Sequence, residues 1–272
     1  MTDKYAVVGN PVAHSVSPQI HAEFARQTGQ DLDYARLLAP LDAFQATMLK
    51  FRDEGGKGVN VTLPFKVEAY QLAARRSARA EHGQAVNTLK FDGDTTIGDN
   101  TDGAGLARDL ETNLGCALAG KRVLLMGAGG AARGVLFSLL EKKPAGLTLA
   151  NRTPDKANAL AREFAHWGKC VACGYAGLAD RQFDLVINAT SASVGGELPP
   201  LPSGIFAPQS LAYDLMYGRE PTPFLKFAQA HGAAPIADGL GMLVEQAAES
   251  FFVWRGVAPD TAPVLRRFRS EM

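Results

Sequence analysis

Lys66 closes the stretch NVTLPFK, residues 60–66, two positions past the proline that ends a strand-like alternation of polar and apolar side chains. An ammonium in that position can stabilise charge developing on an oxygen and hand it a proton. The plainer alternative is a solvated loop lysine. Asn60 and Thr62, two residues apart, place an amide and a hydroxyl on one side of the same strand. GDNTDGAG adds Asp99 and Asp102, carboxylates able to hold a cation, although acid-rich turns are commonly just solvated. In GNPVAHSVSP, Ser15 and Ser17 precede a helical pattern with Pro18 at its first position. Two hydroxyls beside free N–H groups at a helix start suit an anionic group, and Ser17 is also the expected N-cap.

A second set of residues suits a dinucleotide. Gly127, Gly129 and Ala132 in VLLMGAGGAARG fit G-x-G-x-x-[GA], after an apolar strand and at the opening of a helix. The first glycine makes the turn, the second admits a pyrophosphate to the backbone, and the phosphates rest on N–H groups at the helix start. The following strand, GLTLA, ends in Asn151-Arg152-Thr153 and carries no acid there to bond a ribose 2′-hydroxyl. A planar guanidinium with a hydroxyl and an amide instead suits a 2′-phosphate, and Lys156 adds charge one helical turn on. NADP is therefore favoured over NAD. The alternative is that Arg152 merely opens a surface helix.

The elements that must carry these residues alternate along the chain. YAVVGN, DYARLLA and GKGVNVTL read as strands. SPQIHAEFARQTG, LDAFQATMLKFRDEG and VEAYQLAARRSARAEHG read as helices from apolar spacings of three and four. AVNTLKFDGDTTIGDN predicts a hairpin turning at Asp92-Gly93-Asp94. From Arg122 a second strand–helix series begins, and LGMLVEQAAESFFVWRG predicts an apolar helix that must pack against protein. The fold class expected is α/β in two domains. Residues 1–102 form a mixed-sheet substrate and catalytic domain, 103–240 a Rossmann-like nucleotide domain, and 241–272 a helical segment returning to the first.

Composition narrows the class. The chain has 272 residues, 28 Lys plus Arg against 28 Asp plus Glu, a balance that gives no reason for a nucleic-acid or acidic-membrane partner. No apolar run reaches the length of a membrane span, and the N-terminus has no signal-peptide core, so a cytoplasmic location is expected. Cys170 and Cys173 form a C-x-x-C near His166. A redox pair or half a zinc site is conceivable, but a second ligand pair is missing and small buried thiols are the expectation. No metal is expected.

Taken in order, GNPVAHSVSP, NVTLPFK, AVNTL, GDNTDGAG, GAGGAARG, NRT, INATS and DGLGMLVEQAA span nearly the whole chain. Together they strongly resemble the shikimate dehydrogenase family in its single-function bacterial form. That resemblance implies reversible, NADPH-dependent reduction of 3-dehydroshikimate to shikimate, a step of chorismate and aromatic amino-acid biosynthesis, in a cleft between two domains. It implies that Ser15 and Ser17 bond the substrate carboxylate, that Thr62, Asn87 and Asp102 line the ring hydroxyls, and that Tyr217 and Gln246 close the site. Lys66 and Asp102 become the catalytic pair. Gly127, Ala128, Gly129, Gly130 and Ala131, with Asn151, Arg152, Thr153 and Lys156, hold NADP. Leu215, where the family often has methionine, and Gly239, through its backbone, belong to the same cofactor site. Ala78 stands about where relatives often carry an acid, and Lys156 where an arginine is common. The rival readings are a quinate/shikimate dehydrogenase with relaxed substrate or cofactor choice and a non-catalytic NADP-binding protein on the same fold. Monomer and homodimer remain equally open.

Overall fold

A computed structural model describes residues 2–190, 192 and 197–271. The chain divides into two units, one of Met1–Gly105 with Leu243–Glu271 and one of Leu106–Met242.

In the first unit the apolar run near the N-terminus becomes β1 (Asp3–Gly9), whose last five residues are all buried. It is followed by α1 (Ser17–Thr28), β2 (Leu32–Leu38), α2 (Phe44–Asp53) and β3 (Gly56–Val61). The chain continues through α3 (Lys66–Leu72), β4 (Arg75–Arg76), α4 (Ala78–Gly83), β5 (Thr88–Asp92), β6 (Thr95–Asp99) and the start of α5 (Asp102–Arg108). The sheet order is β2-β1-β3-β5-β6-β4. β1 is parallel to both its neighbours, while β3–β5 and β5–β6 are antiparallel. The sheet is therefore mixed, as expected. The β5–β6 hairpin pairs Asp92 with Thr95, and Gly93 takes the positive φ (57°) its turn needs.

Both faces of this sheet are covered. Val8, Val59, Val61 and Leu89 pack with Phe44, Met48 and Phe65 on one side. Tyr5, Val7 and Tyr34 pack with Trp254 on the other. Trp254 belongs to α9 (Leu240–Arg255), which with α10 (Thr261–Glu271) brings the end of the chain back into this unit.

Two local expectations need correction. The helix read through VEAYQLAARRSARAEHG is two helices, α3 and α4, separated by the short strand β4 on the far edge of the sheet. Its three-and-four spacing holds within each piece. Ala74 N–H bonds Thr96 O and Ser77 N–H bonds Gly98 O, and these ladder bonds outweigh helix propensity. Ser17 is not the N-cap of α1 either; it is the first helical residue, with Val16 at the cap.

The second unit holds β7 (Arg122–Met126), α6 (Gly130–Glu141), β8 (Gly146–Ala150), α7 (Pro154–Phe164), β9 (Cys170–Cys173) and β10 (Phe183–Asn188). After them come β11 (Phe206–Asp214), α8 (Pro223–Ala230) and β12 (Ile236–Ala237). The strand order is β12-β11-β10-β7-β8-β9, and every pairing is parallel. That is the doubly wound dinucleotide-binding order, with its switch between β7 and β10. Helices on both faces favour apolar runs in the central strands, as in the four buried residues that end β7.

Candidate functional site

The first unit concentrates its polar chemistry where β3 and β6 end and β5 begins. Lys66 opens α3 after Phe65 at the N-cap. A helix N-terminus disfavours a cation, so a lysine serving only stability has no reason to be there. What holds it is Asp102: Lys66 Nζ donates to Asp102 Oδ2 at 2.5 Å. Asp102 lies in the first turn of α5, and its other oxygen accepts from Asn87 Nδ2 at 2.8 Å.

Asn87 is itself fixed. Val61 N–H donates to its carbonyl, its own N–H donates to Asp99 O, and its side-chain oxygen accepts from the Thr101 N–H at 2.8 Å. Its amide also reaches Gln246 Oε1 at 3.2 Å. Lys66, Asn87, Asp102 and Gln246 thus converge. Thr62 lies just past β3, its N–H bonded to Val8 O.

Ser15 Oγ donates to Ser17 Oγ at 3.1 Å and accepts the Ser17 N–H at 3.3 Å, so the two hydroxyls form one cluster at the start of α1. Arg36 Nε bonds Ser15 O at 2.8 Å, which adds a positive charge beside them. Asp99 has a different task from Asp102. It takes Arg79 in a two-pronged ion pair, accepts the Ser77 hydroxyl, and shares Arg79 with Glu249.

Sequence reasoning singled out Asn60 but passed over the residues it gathers behind this cluster, His21, Tyr34, Thr88 and Ser250. Asn60 Oδ1 accepts from Tyr34 Oη at 2.7 Å and lies 3.1 Å from His21 Nε2. Its amide nitrogen reaches Ser250 Oγ at 2.9 Å and Thr88 Oγ1 at 3.2 Å. The signal for Ser250 was a lone hydroxyl, one turn after Gln246, in a helix otherwise strongly apolar.

His21 is buried and stacked on Tyr34 with ring centroids 4.2 Å apart. Burial lowers its pKa to about 3, partly opposed by the bond to Asn60. The ring is therefore neutral and gives its Nε2–H to Asn60. In the unfolded chain His21 titrates near 6.5, so its contribution to stability is complete above that pH and is lost progressively as pH falls toward 3. At pH 5 the loss amounts to about 2 kcal/mol relative to pH 7. Urea melts at both pH values should show this drop, and His21→Gln should remove most of it. An unchanged pH dependence in the variant would assign the effect to other groups.

The second unit carries the features expected of a dinucleotide site. Gly127 has φ of 111°, and a Cβ there would lie 2.9 Å from Ala189 O, so only glycine makes this turn. A Cβ on Gly129 or Gly130 would meet nothing within 4 Å, which leaves the loop face open to a ligand. The α6 N-cap is Gly129, which offers no side-chain acceptor to the first N–H groups of the helix. Ala128 and Ala131 complete the loop, while Ala132 packs inward. Arg152 and Thr153 are exposed at the end of β8, and the Thr153 N-cap position uses no side-chain bond. Asn151 Nδ2 holds the Thr153 carbonyl at 2.9 Å, and Lys156 is exposed on α7. Open amides, an exposed guanidinium and a spare hydroxyl fit NADP.

At the other side of the switch, Asn188 and Asp214 are fully buried and bonded to each other at 3.1 Å. Asn188 Oδ1 fastens Thr190, and Asp214 fastens Thr222 and the Met216 N–H. INATS therefore has a structural task, shaping the loops at the carboxyl ends of β10 and β11; its Ser191 lies outside the described residues. Gly239 N–H bonds Met216 O, and a Cβ on Gly239 would come within 2.1 Å of Leu215 O. Leu215 and Gly239 are thus backbone neighbours. Tyr217 is exposed, its pKa raised by partial burial of the phenol and by Asp238.

Cys170 and Cys173 are free thiols at the two ends of β9, and burial pushes the Cys170 thiol up to about 11. Among the described residues no group of His, Cys, Asp and Glu could hold a metal ion, and no helix is long and apolar enough to cross a membrane.

Comparison with known proteins adds to this geometry. Residues 7–89 match the family model of the shikimate dehydrogenase substrate binding domain, and residues 109–194 that of shikimate / quinate 5-dehydrogenase. Residues 239–267 match the shikimate 5′-dehydrogenase C-terminal domain. Shikimate dehydrogenase (NADP(+)) of Nitrosospira multiformis is 62% identical over 100% of the chain and 99% of its own length. The protein of the same name from Dechloromonas aromatica is 60% identical at the same coverage. Among solved structures, shikimate 5-dehydrogenase from Thermus thermophilus in complex with NADP(H) and shikimate has a TM-score of 0.89 at 34% identity, covering 100% of both chains. With a lysine–aspartate pair at the starts of two helices beside a mixed sheet, a doubly wound nucleotide unit and full-length relatives at this identity, the chain belongs to the shikimate dehydrogenase family.

Proposed function

We propose that the chain catalyses the reversible NADPH-dependent reduction of 3-dehydroshikimate to shikimate, with Lys66 and Asp102 as its catalytic pair. The observation that carries this is the 2.5 Å contact of Lys66 Nζ with Asp102, whose second oxygen is held by Asn87. Residues 1–102 with 241–272 serve the substrate, and residues 103–240 serve NADP. A cytoplasmic place in aromatic biosynthesis belongs to the same reading.

The substrate carboxylate accepts from Ser15 and Ser17, and the Arg36 charge favours it there. Thr62, Asn87 and Asp102 bond the ring hydroxyls, Gln246 completes the polar lining, and Tyr217 is a further substrate-binding residue. NADPH, when bound, supplies the hydride that reaches the carbonyl carbon. As the carbonyl oxygen gains negative charge, the Lys66 ammonium stabilises it and transfers a proton from Nζ. The Asp102 carboxylate keeps the ammonium in place before transfer. Lys66 is 29% exposed, which gives the amine access to solvent protons for the next cycle. On the cofactor side, Gly127 to Ala131 receive the pyrophosphate on backbone N–H groups. Asn151, Arg152, Thr153 and Lys156 hold the 2′-phosphate, and the Leu215 and Gly239 backbones bound the nicotinamide end.

The purified protein should reduce NADP when given shikimate, followed by NADPH absorbance, with kcat/KM highest for the shikimate–NADP pair. Quinate and NAD in parallel assays test the rival: comparable kcat/KM for quinate would make the chain a quinate/shikimate enzyme. No turnover of either acid would overturn the proposal.

A further inference from the structure

Gly105 is buried in the middle of α5, and its φ is not positive. Its backbone conformation is thus open to any residue, and helix propensity favours alanine there. The reason for a bare backbone lies across the helix pair. A Cβ on Gly105 would come within 2.6 Å of the Gln246 backbone nitrogen, 2.7 Å of its Cβ and 2.9 Å of its Cα. These are backbone atoms of α9 and the root of a side chain, which cannot turn aside as a flexible tip would. α5 and α9 therefore touch backbone to backbone at Gly105 and Gln246.

The contact bears on the proposed site because one amide serves both helices. Asn87 Nδ2 donates to Asp102 Oδ1 at 2.8 Å and to Gln246 Oε1 at 3.2 Å, with Thr101 Oγ1 at 2.9 Å from the same nitrogen. The bond to Gln246 is the longest of the three. Asn87 cannot follow a moving partner, since its side-chain oxygen takes the Thr101 N–H. α9 is not free to back away either. Arg79 forks onto Asp99, just before α5, and reaches Glu249, three residues after Gln246, at 2.8 Å. Ser250 Oγ donates to the Gln246 carbonyl at 3.0 Å and takes the Asn60 amide at 2.9 Å. A methyl group at position 105 would need about 3.5 Å from its neighbours. It would prise the two helices apart by more than about half an ångström, and a bond already at 3.2 Å has no such slack.

We propose that Gly105 is a positioning residue: its bare backbone sets the α5–α9 separation at which Asp102 and Gln246 meet on the Asn87 amide, and so places the Gln246 side chain for the substrate. The inference rests on the function proposed above. Gly105→Ala should raise KM for shikimate about tenfold with kcat changed less than about threefold, because it displaces a substrate contact and leaves the lysine–aspartate pair in place. Gln246→Ala should do the same directly. A residue that acts through Gln246 has nothing left to disturb once that side chain is gone, so Gly105→Ala should then add less than about twofold to KM. Gln246→Ala keeps the backbone and Cβ atoms that the new methyl meets. The thermal midpoint should therefore fall with Gly105→Ala in both backgrounds, which separates stability from KM.

Steady-state kinetics of the two single variants and the double variant, with thermal midpoints and NADPH fluorescence titrations on the same samples, test this. The expected result is a non-additive rise in KM with NADPH affinity unchanged. KM effects that multiply, or a folded Gly105→Ala with the KM of the unsubstituted chain, would overturn the positioning role while the proposed function stands. Should Gly105→Ala not fold, Arg79→Gln takes its place in the cycle, since it releases the same two segments without adding volume. It should raise KM about threefold and add nothing to Gln246→Ala; an unchanged or multiplied KM overturns the inference. If the unsubstituted chain does not turn over shikimate, both readings fall together.

Discussion

Lys66→Ala is expected to lower kcat about a thousandfold, the middle of the range for a positioned general acid, while NADPH binds as before. The two effects separate because the groups are in different parts of the chain. Lys66 is held by Asp102 in the first unit, whereas the open glycine loop and Arg152 belong to the second. Truncation removes the only group in the cluster able both to stabilise an oxyanion and to protonate it. Asn87 and Gln246 can polarise but carry no comparably mobile proton. The substitution also leaves Asp102 without its cation, so the thermal midpoint should be measured alongside. A kcat within tenfold of the unsubstituted chain, in folded protein, would remove Lys66 from the chemistry and leave the non-catalytic NADP-binding reading in front.

Arg152→Ala has the next largest expected effect, on cofactor choice. The guanidinium is exposed at the end of β8, and no acid at that strand end bonds a ribose hydroxyl. A charge-assisted, two-pronged contact with a 2′-phosphate is about twice as strong as a neutral hydrogen bond. Its loss should raise KM for NADP roughly 30-fold with KM for NAD little changed. Arg152→Asp should go further, repelling the phosphate while offering an acceptor to the ribose, and so move preference toward NAD. Equal losses for NADP and NAD in both variants would mean that Arg152 supports the loop rather than reading the phosphate.

Much of this was legible in residue order. Alternating strand and helix patterns from Arg122 onward lead to an all-parallel sheet, because a strand, a crossover and a second strand leave few other arrangements. The glycine loop was legible for the same reason, since its turn has a mechanism. Lys66 and Asp102 could be singled out through the motifs around them, but not their 2.5 Å separation, which depends on where α3 and α5 begin. The break between α3 and α4 was not legible, because Arg75 and Arg76 carry good helix formers' side chains and become a strand only through pairing with β6. Tyr34 and Ser250 escaped for another reason. A buried hydroxyl is read as core until its partners, which lie in distant parts of the chain, are known.

That distance has a consequence for how the protein is made. The Asn60 amide meets a hydroxyl 190 residues later in the chain. The first unit is interrupted by the whole of Leu106–Met242 before Leu243–Glu271 completes it. During synthesis the nucleotide unit therefore emerges entire while the substrate unit still lacks the helix carrying Gln246 and Ser250. Domains ordinarily finish in the order they leave the ribosome; here the unit that starts first must be finished last. Contacts of such long sequence separation are slow to form. The nascent enzyme thus has the parts to hold its coenzyme before it has those to hold its acid.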